Sequence, residues 1–345
     1  MHAVVLVGGF GTRLRPLTYS IPKPLLPVAH TSMLERLMNS LALGGVTHAV
    51  LALGFKPEPF MAAFPNDMCG SVQLSYAVEG TPLDTAGAIG FAARTAGISE
   101  TFVVANGDVL TDLDIASLIS FHRQHGAEGT ISLTPVSDPS QYGIVEIDAS
   151  GRVERFVEKP QPGATTSNFA SAGTYVLEPS ALARMPGDQK LSIERVVFPQ
   201  MVADESLFAM STDDYWIDAG RPDTFISANV HVAKRAAKVT DASIHPTATV
   251  AATAVILDSV IGENATVLDG ARIQHSVLLP GAFVGQGAVV IDSLVMGKLD
   301  TNSQVTNSII GSTGVVGQNE MCSNASVPAH DPAQKPENFP EKFPE

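Results

Sequence analysis

The stretch VVLVGGFGTRLRPLTYSIPKPLLPV, residues 4–28, joins an apolar run to a glycine-rich turn and then to cationic side chains. The aliphatic run at its start predicts a buried strand. The glycines of Gly8–Gly11 let backbone N–H groups approach an anion. Arg13 offers a bidentate phosphate ligand, and Lys23 offers a point charge beside it. The stretch therefore predicts a phosphate-binding turn after the first strand, and the alternative is a tight turn with surface arginines.

The two common glycine-rich phosphate motifs do not fit this turn. The dinucleotide fingerprint G-x-G-x-x-G fails because Gly9-Phe10-Gly11 is followed by Thr12, Arg13 and Leu14. The P-loop pattern fails because no Gly-Lys-Ser/Thr closes the turn. A glycine turn with its own arginine and lysine remains.

Composition limits the class of protein. A length of 345 residues is about right for two domains. The net charge of −14 disfavours nonspecific nucleic-acid binding, which depends on lysine and arginine. No apolar run is long enough to span a membrane, and the apolar start is too short for a signal peptide. The two cysteines, Cys69 and Cys322, lie far apart and form no CxxC, so we expect a cytoplasmic protein without a disulfide framework.

The first part of the chain, residues 1–238, alternates short strands with helices. This order predicts a Rossmann-like, mostly parallel sheet with helices on both faces, in which ligands sit beyond the carboxyl ends of the strands. The predicted strands are Ala3–Val7, Ala49–Leu53, Val72–Ala77, Phe102–Ala105, Thr130–Val136, Arg152–Val157 and Gly173–Leu177. The predicted helices are Met33–Leu43, Thr85–Thr95, Ile115–Gln124, Ile193–Val202 and Thr224–Lys238.

A repeat occupies residues 239–327. The motif DSVIG at Asp258 returns as HSVLL, DSLVM and NSIIG, at spacings of 17, 17 and 15 residues. Aliphatic residues recur about every sixth position, which suits a three-sided parallel β-helix; we expect about four coils from Ile244 to Val327. A β-sandwich is the alternative, although its strands would alternate with period two. The tail, residues 328–345, is proline-rich and has no periodicity.

The long motif of residues 8–28 resembles the signature of sugar-phosphate nucleotidyltransferases (NDP-sugar pyrophosphorylases). The resemblance continues, in order, through NGDVL at Asn106, YGIVEID at Tyr142, VEKP at Val157, SAGTYVLEP at Ser171 and WIDAGRPDTF at Trp216. With the β-helix, it is most similar to two-domain mannose-1-phosphate guanylyltransferases, whose C-terminal domain is a left-handed β-helix.

This resemblance implies the reaction of an NTP with a sugar 1-phosphate to give an NDP-sugar and pyrophosphate, with GTP and mannose 1-phosphate as the first choice. It implies catalytic roles for Arg13, Lys23, Asp108 and Asp218, with Mg²⁺ held by the two aspartates. Arg13 would bind the leaving pyrophosphate, and Lys23 would neutralise the phosphates around the α-phosphorus. Each aspartate alone could instead be a turn or helix-cap residue.

The resemblance also implies two substrate sites. The nucleotide residues would be Leu6, Gly8, Gly9, Gly11, Thr12, Arg13, Glu79, Thr85, Ala86, Gly87 and Asn106. The sugar-phosphate residues would be Gly107, Gly143, Glu158, Lys159 and Ser171. For Glu158 and Lys159 a strand-end salt bridge is the alternative.

Two positions depart from the family pattern. Asp84 stands where glycine is common, and it either caps the following helix or changes base preference. Ser171 stands where asparagine is frequent, which leaves the identity of the sugar open.

The sequence leaves three alternatives to this function. A glucose-1-phosphate thymidylyl- or uridylyltransferase is the nearest alternative. A catalytically silent regulatory relative should have lost one of the four catalytic residues. An acyltransferase would need a histidine base, for which His245 and His275 are candidates. We also expect a homo-oligomer, assembled through the β-helix.

Overall fold

The computed structural model describes residues 1–54, 57–235, 238 and 242–331. The described residues form two compact units. The first holds Met1–Gly9 and Met33–Ile217, and the second holds Phe10–Ser32 with the described residues from Asp218 onward. The expected boundary at residue 238 adjoins undescribed residues and stays a prediction, and most of the proline-rich tail lies outside the described residues.

Among the residues that the structure describes, fourteen strands precede the repeat region. They are β1 (His2–Leu6), β2 (Pro27–Val28), β3 (Thr31–Ser32), β4 (His48–Leu53), β5 (Met68–Cys69), β6 (Val72–Val78), β7 (Phe102–Asn106), β8 (Val109–Thr111), β9 (Gly129–Pro135), β10 (Gly143–Ile147), β11 (Val153–Glu158), β12 (Phe169–Leu177), β13 (Leu207–Ser211) and β14 (Trp216–Asp218).

The α-helices are α1 (Leu17–Ser20), α2 (Met33–Leu43), α3 (Glu58–Ala63), α4 (Asp84–Thr95), α5 (Ile115–His125), α6 (Phe198–Ala203) and α7 (Pro222–Lys234). Short 3₁₀ turns lie at Thr12–Leu14, Lys23–Leu25, Pro65–Asp67, Pro139–Gln141 and Pro179–Arg184, and a π-helical turn at Ile193–Val197 runs into α6.

The first unit is built on a ten-stranded mixed sheet. Its main order is β11-β10-β12-β7-β1-β4-β6-β5, and β9 pairs with β12 and β13. The central strands β7, β1, β4 and β6 are parallel. Consecutive residues of β1, Ala3–Val5, are all fully buried, and a strand buried at successive positions must be covered on both faces. The Rossmann-like prediction is therefore confirmed.

Helix α4 supplies much of the cover on one face of this sheet. Small residues line its buried side, including Ala86, Ala92 and Ala93. They bring the helix close to β1, β4 and β6. The beginning of α4 is thereby held near the carboxyl ends of these strands.

The repeats in the second unit form three parallel sheets of five strands each. The first face is Thr249–Val250, Thr266–Val267, Phe283–Val284, Lys298–Leu299 and Val315–Val316. The second is Val255–Leu257, Arg272–Gln274, Val289–Ile291, Gln304–Thr306 and Met321–Ser323. The third is Val260–Ile261, Val277–Leu278, Leu294–Val295, Ile309–Ile310 and Ser326–Val327. This is the predicted left-handed β-helix, but the expected number of four coils was wrong, since each face has five strands.

The repeated motif has a physical explanation. Its first residue, at Asp258, His275, Asp292, Asn307 and Asn324, turns the chain with φ between 43° and 52°. The next residue is a buried serine in four coils, and each serine Oγ accepts the backbone N–H of the equivalent residue one coil later, at 3.0 to 3.1 Å. His275 is a corner residue whose Nδ1 lies 2.6 Å from Asp292 Oδ1.

Candidate active site

In the first unit, predicted residues meet where β1 and β7 end. These strands are parallel neighbours in which Leu6 is paired with Asn106. The Gly107 N–H donates to the Leu6 carbonyl at 2.9 Å. A Cβ on Gly107 would lie 2.6 Å from Val7 Cγ1, so only glycine fits there. The structure therefore brings Leu6, Asn106 and Gly107 to one edge of the sheet, with Asp108 next in the chain.

The two glycines after β1 leave the turn open. Gly8 and Gly9 are both exposed. Gly9 has φ +145°, a conformation that side-chain-bearing residues rarely adopt. Its backbone therefore remains accessible, as an anion-binding turn requires.

The loop before α4 holds Glu79 in an ordered position. Glu79 Oε2 accepts the Leu83 N–H at 2.9 Å. Burial raises the pKa of the Glu79 carboxyl, and this hydrogen bond partly opposes the shift. Glu79 is thus placed by backbone contacts beside the beginning of α4.

Asp84 has a backbone conformation that favours glycine. Its φ is +60°, the left-handed conformation that favours glycine and that aspartate tolerates. Its Oδ1 accepts the Thr85 N–H at 2.8 Å, so the carboxylate satisfies one N–H of the first helical turn. This contact agrees with the capping interpretation of Asp84.

Ala86 and Gly87 use their backbone donors within the protein. Both N–H groups donate to the Leu191 carbonyl, at 2.8 and 3.1 Å. A Cβ on Gly87 would lie 2.4 Å from the Gln189 carbonyl oxygen, so this segment packs directly on the helix. Nucleotide binding through these two N–H groups would require Leu191 to move, and the predicted role of Ala86 and Gly87 stays a prediction.

The predicted sugar-phosphate residues meet across β10 and β11. Gly143 is paired with Glu158, and a Cβ on Gly143 would lie 2.5 Å from Phe156 Cζ and 2.9 Å from Glu158 Oε2. Lys159 follows with φ 47°, and its Nζ lies 3.7 Å from Glu158 Oε1. The Lys159 side chain is 60% exposed, so its ammonium can reach a bound anion.

Glu194 is a site candidate that the sequence did not reveal. Its Oε2 accepts hydrogen bonds from Thr85 Oγ1 and Ser192 Oγ, both at 2.7 Å. Burial raises the pKa of Glu158, and the negative charge of Glu194 raises it further. Glu194 therefore joins Glu158 and Thr85 in one polar cluster. The packing of Ile193–Val197 brings Glu194 close to Thr85 and Glu158, and no local sequence motif indicates this contact.

Ser171 lies on the neighbouring strand β12, opposite Leu133 of β9. Tyr175 lies four residues further along the same strand. Burial raises the pKa of its hydroxyl, and the negative charges of Glu194 and Glu158 raise that pKa further. Ser171 thus belongs to the strand beside this polar cluster.

In the second unit, the turn at Gly11–Leu14 presents Arg13. Gly11 has φ 56°, and its carbonyl accepts the Thr18 hydroxyl at 2.9 Å and the Leu14 N–H at 3.0 Å. Thr12 and Arg13 are exposed, whereas Leu14 is fully buried. The buried leucine anchors the turn and leaves the guanidinium accessible.

Lys23 and Asp218 come together in the second unit although they are 195 residues apart in sequence. Lys23 is only 8% exposed, and its Nζ lies 3.4 Å from Asp218 Oδ1. A Cβ on Gly220 would lie 2.8 Å from both atoms, so a side chain at this position would displace the pair. A buried ammonium needs such a partner. Two of the four predicted catalytic residues are therefore neighbours.

The donors available for a metal are carboxylates. Among residues 1–54, 57–235, 238 and 242–331, no group of three or more His, Cys, Asp or Glu side chains could hold an ion. Mg²⁺ needs no such group, because it usually binds one or two carboxylates together with waters and substrate phosphates. The predicted aspartates therefore fit Mg²⁺ better than Zn²⁺.

The described helices include none that is long and apolar enough to cross a membrane.

Comparison with known proteins covers both parts of the chain. The family described as Nucleotidyl transferase matches residues 2–235, and the GMPPB C-terminal domain matches residues 238–300. A probable mannose-1-phosphate guanylyltransferase 3 of Oryza sativa subsp. japonica is 36% identical over 96% of this chain and 91% of its own length. The mannose-1-phosphate guanylyltransferase of Mycobacterium tuberculosis is 35% identical over 84% of this chain and 83% of its own length.

Solved structures agree with these similarities. HddC from Yersinia pseudotuberculosis is 31% identical, with a TM-score of 0.56 over 66% of this chain and 97% of that one. A second structure of HddC contains GMP-PN. A family match over residues 2–235, together with relatives that are similar along most of the chain, shows that the protein belongs to the nucleotidyl transferase family.

Proposed function

We propose that the protein transfers a guanylyl group from GTP to mannose 1-phosphate, giving GDP-mannose and pyrophosphate. The similarity of both the catalytic part and the repeat part to mannose-1-phosphate guanylyltransferases carries this proposal. Polar groups suited to a sugar phosphate, Glu158 and Lys159, support it.

The proposed chemistry is one in-line displacement. A phosphate oxygen of mannose 1-phosphate attacks the α-phosphorus of GTP, and a new P–O bond forms. The bond from the α-phosphorus to the bridging oxygen breaks, and pyrophosphate leaves with the electron pair. Charge accumulates on the leaving oxygens, so fixed cations lower the barrier most. Arg13, which is exposed on its turn, is proposed to bind this pyrophosphate, and Lys23 to neutralise the phosphates around the α-phosphorus.

Asp108 and Asp218 are proposed as the ligands of Mg²⁺. When bound, the ion would bring phosphate groups together by reducing the repulsion between them. Asp218 already neutralises a buried ammonium, since its Oδ1 is paired with Lys23 Nζ.

The remaining residues are proposed to bind the two substrates. Leu6, Gly8, Gly9, Gly11, Thr12, Glu79, Thr85, Ala86, Gly87 and Asn106 are assigned to the nucleotide. Gly107, Gly143, Glu158, Lys159 and Ser171 are assigned to the sugar phosphate. We add Glu194 to this second group, because its hydrogen bond with Thr85 Oγ1 and its effect on the pKa of Glu158 link the two groups.

Assembly into a homo-oligomer through the β-helix is part of the proposal. The second face of the β-helix points apolar side chains outward: Val255, Leu257 and Met321 are 43%, 42% and 75% exposed. Exposed apolar side chains on one face favour burial against another surface. A location in the cytoplasm likewise remains a proposal.

The reverse reaction tests the assignment. The protein is incubated with pyrophosphate, Mg²⁺ and GDP-mannose, dTDP-glucose or UDP-glucose, and nucleotide products are separated by chromatography. We expect GTP from GDP-mannose at the highest rate. A higher rate with dTDP-glucose or UDP-glucose would favour the thymidylyl or uridylyl alternative. The absence of any NTP from a folded sample would favour the regulatory relative.

A further inference from the structure

The segment that carries Arg13 and Lys23 is packed in the same compact unit as the β-helix. Phe10–Ser32 groups with the described residues from Asp218 onward, rather than with the large sheet. Outward-facing residues on the third face of the β-helix are buried: Val260 and Leu294 are 0% exposed and Val277 is 2% exposed. Helix α7 packs against the first strand of this face.

The last coils of the β-helix touch the segment directly. A Cβ on Gly311 would lie 2.8 Å from Pro16 Cγ and 2.9 Å from Pro16 Cβ. Ser326 Oγ donates to the Arg15 carbonyl at 3.4 Å. Two further contacts hold the end of α1, one from Ser312 Oγ to Ser20 Oγ at 3.5 Å and one from Ser20 Oγ to Met296 Sδ at 3.8 Å.

These contacts lie close in the chain to the exposed Arg13. Pro16 is three residues from Arg13 and is buried, as are Leu14 and Leu17. The Thr18 hydroxyl, next to Leu17 in α1, donates to the Gly11 carbonyl and so closes the turn that contains Arg13. A shift of Pro16 would therefore be transmitted to Arg13 over one short, well-packed turn.

We propose that the last coils of the β-helix position Arg13 for catalysis, with Gly311 as the main positioning residue. This inference rests on the proposed role of Arg13 in binding pyrophosphate. The absence of a side chain at Gly311 lets Pro16 lie against the coil. A bulkier residue must push Pro16, and a displacement of about 1 Å in a catalytic group can cost up to about 100-fold in rate.

The test compares two glycine variants of the full-length protein. Gly311→Ala adds a Cβ against Pro16. Gly285→Ala is the matched control, because its Cβ would lie 2.7 Å from the Asp300 carbonyl carbon and 2.8 Å from the Thr301 nitrogen, inside the β-helix itself. We expect Gly311→Ala to lower kcat/KM for GTP about tenfold, with KM for mannose 1-phosphate changed by less than about twofold. Gly285→Ala should lower the melting temperature by at least as much and leave kcat/KM for GTP within about twofold.

A double-mutant cycle with Arg13→Ala identifies the route of the effect. In the Arg13→Ala background, assayed at high enzyme concentration, Gly311→Ala should cause no further loss. Equal effects of the two glycine variants, or a tenfold loss that persists without Arg13, would overturn the inference. Full activity of Arg13→Ala alone would refute the role of Arg13 in the proposed function. That result is distinct from the two results that would overturn the positioning role of Gly311.

If Gly311→Ala does not fold, a variant that adds no atoms tests the same positioning role. Ser312→Ala combined with Ser326→Ala removes two hydroxyl contacts to Ser20 and Arg15. We expect a smaller loss, about threefold in kcat/KM for GTP, that again disappears in the Arg13→Ala background. An unchanged kcat/KM in this variant would overturn the positioning role.

Discussion

Replacing one serine of the buried ladder, Ser276→Ala, should destabilise the β-helix without changing catalysis. Ser276 is 0% exposed. Its Oγ donates to the Gln274 carbonyl at 2.8 Å and accepts the Ser293 N–H at 3.0 Å. The Gln274 carbonyl keeps a second partner, the Asp292 N–H at 3.2 Å. The Ser293 N–H would be left buried without its acceptor, which costs about 1–3 kcal/mol.

The matched control is another buried serine, Ser303→Ala. Ser303 is 0% exposed, and its Oγ makes no hydrogen bond with any residue that the structure describes. The equivalent positions in the preceding coils are Ala254, Ala271 and Ala288, by the register of the second face. Removing an unsatisfied hydroxyl should be neutral or stabilising by up to about 1 kcal/mol.

Calorimetric melting of the two variants measures the difference. For a unit of this size, about 2 kcal/mol corresponds to a fall in Tm of roughly 4–8 °C for Ser276→Ala, while Ser303→Ala should melt at or above the wild-type temperature. The initial rate of pyrophosphate release should stay within about twofold for both variants at a temperature where each is folded. Equal shifts in Tm for the two serines would refute the hydrogen-bond ladder as the source of stability.

Three further substitutions test the proposed site. Asp108→Asn should abolish pyrophosphate release while the melting temperature stays near that of the wild type; a rate close to wild type would remove Asp108 from the metal role. Lys23→Met removes the buried ammonium and keeps an unbranched side chain of similar length. We expect kcat to fall about 10²–10³-fold in steady-state assays. A loss of stability without a loss of kcat would contradict a role of Lys23 in catalysis. Because burial and the charge of Glu194 raise the pKa of Glu158, Glu194→Gln should lower that pKa and move the acid limb of kcat/KM for mannose 1-phosphate to lower pH. A pH profile that does not move would separate Glu194 from this site.

Regular elements with strong periodicity were predicted well from the sequence. Helix Met33–Leu43 begins and ends where it was predicted. The predicted helix Ile193–Val202 is a π-helical turn followed by α6, because Pro199 cannot donate a backbone hydrogen bond within a continuous helix. Strands β10 and β13 were missed. The sequence of β13, LFAMS, has no β-branched residue, and this strand takes its conformation from pairing with β9.

The β-helix was predicted from its spacing, but one coil was not counted. The spacing falls from 17 to 15 residues after Asp292, and on the second face the inward residue of the last coil is Cys322 instead of an aliphatic residue. Both changes weaken the repeat signal while the backbone ladder continues. Periodicity therefore identified the architecture and its end at Val327, and only the number of coils was wrong.

In the candidate site, local features could be predicted from the sequence and contacts between distant residues could not. The exposed arginine on a glycine turn follows from local sequence, since Gly11 and Thr18 are close in the chain. Glu194 and the contact between Gly311 and Pro16 join residues that are far apart in sequence. Such contacts depend on tertiary packing, which no local pattern encodes.

The central claim is tested most directly by initial rates of pyrophosphate release with Mg²⁺ present. GTP, dTTP, UTP, ATP and CTP are each combined with mannose 1-phosphate and with glucose 1-phosphate, and kcat/KM is compared across the ten pairs. We predict that GTP with mannose 1-phosphate gives the highest value. A higher value for dTTP or UTP with glucose 1-phosphate would contradict the proposed substrates, and no release in any pair from a folded protein would contradict the proposed reaction.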